Sequence, residues 1–119
     1  MKKLPYQPIR QVGKMYFLAG HTPVDQNDAT VRAGISNQTI DCIQNLEKTL
    51  NSEGLTLDDL VKTTVFLKNM SDFDEMNQEY AKAFNGQLPV RSTVEVSDLP
   101  HIAKNGHLLI EIEAIAVKK

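Results

Sequence analysis

At 119 residues, 41% hydrophobic and 24% charged, the chain has the make-up of one globular domain with its own core, which excludes disordered and collagen-like classes. A net charge of −2, from 13 basic and 15 acidic residues with no basic cluster, argues against nucleic acid as a partner. A lone cysteine, Cys42, excludes an internal disulfide and a cysteine-based zinc cluster, and no stretch approaches the ~20 apolar residues that cross a bilayer.

Lys2-Lys3 and Lys118-Lys119 read as solvated ends. Leu4-Pro5-Tyr6 is not the apolar core of a signal peptide, so a cytoplasmic location is expected. Ile9 to Val12 and Met15 to Gly20 are β-rich runs around Gly13-Lys14, which predicts a hairpin. Asp25 to Asp28 supply turn chemistry. From Ser36 to Ser52 the period changes: Ile40, Ile43, Leu46 and Leu50 form a helical stripe that Glu53-Gly54 closes. Cys42 lies beside that stripe and reads as a small buried hydrophobe.

Leu60 to Leu67 is rich in β-branched residues and reads as a strand. Ser71 to Asp74 resembles a capping box opening a second helix, with Phe73, Met76, Tyr80 and Phe84 on its core side and Asn85-Gly86 at its end. Arg91 to Val96 alternates, placing Arg91, Thr93 and Glu95 on one face. The last strand, Leu108 to Val117, puts Leu108, Ile110, Ile112, Ala114 and Ala116 on one face. Its other face carries Leu109, Glu111, Glu113, Ile115 and Val117. The order ββαβαββ predicts an α+β domain spanning residues 1–119, a single mixed sheet with two helices on one face. The uncovered face, to which Arg91 is also assigned, mixes apolar and charged residues and predicts a subunit interface.

His21, His101 and His107 are scattered without helical metal-site spacing, so no metal is expected. No phosphate-binding loop, dinucleotide fingerprint or nucleophile elbow occurs, and no cofactor is expected. Arg91 and Glu111 remain. On neighbouring strands such a pair is commonly a cross-strand ion pair. The alternative is a site, since a guanidinium grips a carboxylate with two parallel hydrogen bonds and a glutamate can deprotonate water.

Pro89-Val90-Arg91-Ser92-Thr93-Val94-Glu95-Val96 with Leu99-Pro100, followed by Ile110-Glu111-Ile112-Glu113-Ala114-Ile115-Ala116, resembles the reactive-intermediate deaminase (Rid, or YjgF) family. Pro5-Tyr6, Ala19 to Pro23, Val61 to Leu67, and Asp72-Phe73 through Asn77 to Tyr80 extend the resemblance along the chain. The resemblance implies a chorismate-mutase-like fold and a homotrimer with clefts between subunits. It implies hydrolysis of 2-imino and enamine acids, such as 2-iminobutanoate, to 2-keto acids and ammonia without a cofactor. By position, Arg91 would bind the substrate carboxylate and Glu111 would handle the attacking water. Tyr6, Gly20 and Thr93 would line the site, and Asn77 would be structural. Ala19 stands where a serine is frequent and His21 where a glutamine is usual. The 101–107 segment is longer than the usual connection and is expected at the cleft rim. Two other readings stand beside this one: a non-enzymatic small-ligand or regulatory protein using the same cleft, and an RNA-cleaving translation inhibitor, against which the charge balance and the lack of a His-based acid/base pair argue.

Overall fold

The computed structural model describes residues 4–119; Lys2-Lys3 fall outside them. Strands β1 (Ile9–Val12) and β2 (Met15–His21) form the hairpin, and Gly13 takes the left-handed φ of +59° that its two-residue turn requires. Helix α1 (Ile35–Ser52) follows, then β3 (Leu60–Leu67), α2 (Phe73–Ala83), β4 (Val90–Glu95) and β5 (Ile110–Val117). Gly54 closes α1 at φ +74°, as its glycine predicts. The sheet runs β1-β2-β5-β3-β4, antiparallel except for the β3–β4 pair. The α2 crossover makes that pair parallel, because a strand that returns through a helix on one sheet face enters in the same direction. The predicted ββαβαββ order and one mixed sheet are observed.

The core lies between that sheet and the two helices. Leu46 and Leu50 of α1, Met76 and Tyr80 of α2, and Ile110, Ile112 and Val65 of the sheet are buried in one cluster. The α1 stripe is rotated from its predicted centre, since Cys42 and Thr39 are wholly buried and Ile40 is half-buried. A second cluster, Val24, Val31, Leu99 and Leu108 with Phe66 and Ala103 against it, lies beneath the long connections.

Two local expectations are corrected, at the start of α2 and at the start of β5. The Ser71–Asp74 capping box is absent: Met70–Asp72 form a 3-10 turn that runs into α2, and no side chain caps the helix. A capping box closes instead at Thr56 and Asp59, just before β3. β5 begins at Ile110, not Leu108, because the Leu109 N–H donates to Gln38 Oε1 on α1 at 2.7 Å. Leu108 consequently joins the second cluster and Leu109 packs on the main core.

Candidate active site

β4 is the edge strand, and its register settles where Arg91 points. Arg91 is in register with Thr63, which is in register with Ala114, and both partners are buried on the helix-covered face. Arg91 therefore rises beside α2. Its Nη2 donates to Asn77 Oδ1 at 2.6 Å, and its Cζ lies 4.8 Å from the Tyr80 ring centroid and 5.7 Å from that of Phe73. The Tyr80 hydroxyl is bound to Thr63 Oγ1 at 2.7 Å inside the core, which fixes the ring beneath the guanidinium. The ion pairs among the described residues join Arg32 to Asp41 and Lys82 to Glu79, and His101 is hydrogen-bonded to Asp98; Arg91 takes part in none of these. A guanidinium held by an amide and two rings, without an acidic partner, is prepared for an external carboxylate or similar anion. Thr93, two residues on, lies on the same side of β4 and is partly exposed.

Glu111 occupies the opposite face. Its strand neighbours Ile110 and Ile112 are buried beneath the helices, and Glu111 pairs with Phe66 on the uncovered side. Half-burial, with a smaller contribution from Glu113, pushes its carboxyl above the ordinary glutamate range. The register of β2 against β5 shifts between Leu18 and His21, and Gly20 lies in that irregularity. A Cβ at residue 20 would collide with Glu111 Oε2, so glycine there makes room for the carboxylate. Gly20 also lines a cleft of about 260 Å³ with Tyr6, Pro8, Ala19 and Ile102. Glu111, Gly20 and Tyr6 thus form one group, while Arg91, Asn77 and Thr93 form another.

This corrects the assignment of Arg91 and Glu111 to neighbouring strands and one face. β3 separates β4 from β5, and the two side chains leave opposite faces of the sheet. Arg91 is level with Ala114, three residues from Glu111, so the pair is offset by roughly 10 Å along the strands and roughly 10 Å across them. No cross-strand ion pair forms. The signal that could have shown this is the β3–α2–β4 order, which makes β4 a parallel neighbour of β3.

His21 lines the cleft but turns its ring inward. Nδ1–H donates to the Ala19 carbonyl at 2.7 Å, and Nε2 accepts from the Thr49 hydroxyl at 2.8 Å. Burial lowers its pKa, against a smaller raising effect of the Ala19 bond, and keeps it neutral. His101 and His107, read as scattered, meet edge-to-face with ring centroids 5.7 Å apart on the 101–107 segment. Ile102 of that segment lines the cleft beside Gly20. Among the described residues no group of three or more His, Cys, Asp or Glu could hold a metal ion. No described helix is long and apolar enough to cross a membrane.

A family model described as Endoribonuclease L-PSP matches residues 2–118. The chain belongs to this Rid/YjgF family. The Rid chain is 38% identical to a 2-iminobutanoate/2-iminopropanoate deaminase of Salmonella typhimurium, over 97% of its own length and 88% of the relative's. A RutC family protein of Pyrococcus horikoshii is 40% identical at the same coverage of both chains. Among solved structures, Escherichia coli TdcF with bound serine superposes with a TM-score of 0.90 at 30% identity, covering 99% of this chain and 91% of that one. The E. coli YjgF gene product gives 0.88 at 36% identity, covering 97% and 89%.

Proposed function

We propose that this Rid protein hydrolyses 2-imino acids and their enamine tautomers to 2-keto acids and ammonia, at a site completed by two copies of the chain. The observation that carries the reading is Arg91, oriented by Asn77 and stacked on Tyr80 with no acidic partner among the described residues. Similarity to relatives named as 2-iminobutanoate/2-iminopropanoate deaminases supports the substrate class.

Arg91 holds the substrate carboxylate and sets the position of C2. The protonated imine is already electrophilic, so the remaining need is a water oriented and deprotonated at C2. Glu111, with a carboxyl raised by burial, is suited to that proton transfer. Water oxygen bonds to C2 as Glu111 takes its proton, and the C=N π electrons move to nitrogen. Glu111 then returns the proton to nitrogen; as the C–N bond breaks and its electrons leave with ammonia, the hydroxyl oxygen closes the C=O bond and its proton passes to Glu111, from which the released ammonia takes it as ammonium. Positioning and general base action of ~10²–10⁴-fold suffice for so reactive a substrate.

One chain cannot supply both groups to a small molecule, since Arg91 and Glu111 leave opposite sheet faces. The uncovered face supplies a reason to assemble. Met15 (41% exposed) pairs with Val117, Phe17 (42%) with Ile115, and Val94 (41%) with Phe66. Burying this face between copies, as a homotrimer, brings one chain's β4 edge toward its neighbour's Glu111.

RNA cleavage is the second reading, favoured by the family model's description and by the contact of His101 with His107. His101 is bound to Asp98, and a net charge of −2 gives the chain little general attraction for phosphates. The test couples a threonine dehydratase to this protein and follows imine by semicarbazide trapping. Accelerated keto-acid release with suppressed semicarbazone is expected. Ligand binding without acceleration favours the sensor reading, and salt-dependent RNA cleavage lost in His101→Ala favours the nuclease.

A further inference from the structure

The cleft beside Gly20 offers a ligand mainly hydrocarbon. Two of its polar lining residues are turned to internal partners: the Asn45 amide N–H groups donate to the Thr22 and Val24 carbonyls at 2.8 and 3.0 Å, and both His21 ring nitrogens are bonded internally. Facing them are Leu4, Tyr6 and Ile102, exposed by 58%, 54% and 52%. Three large apolar side chains open to solvent around one cavity call for an apolar occupant.

Ile102 sits on a segment that is locked in place. Asn105 Oδ1 accepts from the Val31 N–H at 2.8 Å while its Nδ2 donates to the Val31 carbonyl at 3.0 Å. The Lys104 N–H donates to the Ala29 carbonyl at 2.9 Å, and Ala103 packs against the second core cluster. His101 is tied to Asp98 at 2.8 Å. Every residue around Ile102 is anchored, yet its own side chain packs in neither core cluster. Folding does not account for an isoleucine there; the cleft does.

Resting on the imine-hydrolase reading, we infer that Ile102 is a specificity-determining residue: it forms the wall that receives the substrate's side chain and favours 2-imino acids with apolar chains of three or more carbons. Gly20 supplies the continuity, since it both lines this cleft and touches Glu111. A substrate carbon placed for attack at Glu111 therefore has its side chain directed along the cleft toward Tyr6 and Ile102.

The test uses imines generated in situ from alanine and from leucine by an L-amino-acid oxidase, with semicarbazide competition to read kcat/KM. Ile102→Ala should lower kcat/KM for the leucine-derived imine about tenfold and for the alanine-derived imine by no more than about twofold. Ile102→Leu should keep the wild-type preference. Equal losses on both substrates, or none, in an otherwise active enzyme would overturn the specificity role alone. A wild-type protein inactive on every imine would overturn the parent reading and this one with it. Because Ile102 is half-exposed, an unchanged melting temperature is expected in both variants and separates a cleft effect from a folding defect.

Discussion

Replacing Arg91 with Ala removes a planar donor pair that Asn77 and the Tyr80 ring hold ready. The loss should be ~3–4 kcal/mol, roughly a few hundred-fold in kcat/KM, with the fold retained. Lysine should rescue poorly, because an ammonium cannot reproduce the fork. Asn77→Ala leaves the charge but frees its orientation, so about a tenfold loss carried mainly by KM is expected. Steady-state kinetics on fresh imine check both. For Glu111→Gln, kcat should fall ~10²–10³-fold with KM little changed. Its carboxyl is raised by half-burial and then by Glu113, so wild-type activity should decline on the acid side at a pH above the ordinary glutamate range. The stability sign follows from the same shift. A raised folded pKa favours the protonated form, so the contribution is full below the unfolded pKa and lost as pH rises through the folded one. Glu111→Gln should therefore melt no lower than wild type at neutral pH, and the two should converge in acid. Calorimetry across pH reads this, and a Gln variant with full kcat would leave Glu111 a structural residue.

The irregular end of β2 places Gly20 against the Glu111 carboxylate, and Gly20→Ala probes that contact. The added Cβ meets the far end of a flexible side chain, so the carboxylate shifts while the sheet holds. A cost of about 1 kcal/mol in stability and at least a tenfold fall in kcat are expected, from denaturant melts and kinetics on one preparation. At this scale the hairpin around Gly13, the end of α1 at Gly54 and the Ile110–Val117 alternation were legible in the sequence, because each rests on local backbone chemistry or a two-residue period. What was not legible rests on contacts between distant residues. The start of β5 is set by the Gln38 side chain, 71 positions from Leu109. The face of Arg91 is set by the parallel pairing of β4 with β3, which alternation within β4 does not reveal. The contact of Asn77 with Arg91 needed α2 laid across that edge, and the His101–His107 contact needed the path of the connecting segment. The resemblance supplied the candidate site residues by position, but not that Arg91 and Glu111 leave opposite faces of the sheet.

Assembly decides whether the two halves of the site meet. The apolar side chains Met15, Phe17 and Val94 on the uncovered face should be buried between copies, and light scattering at micromolar concentration should return a trimer. Phe17→Glu should weaken that assembly and activity together, since it replaces an apolar side chain of the face with a charge that burial between copies would desolvate, near Lys62 and Glu113. The most direct test of the two-copy site mixes Arg91→Ala with Glu111→Gln chains under conditions that allow subunits to exchange. Each variant alone should be nearly inactive. In a random mixture of equal parts, a site takes its arginine from one variant and its glutamate from the other in roughly a quarter of cases, so activity should return to about that fraction of wild type. Hybrid oligomers that form yet stay as inactive as either parent would contradict a site built from two copies.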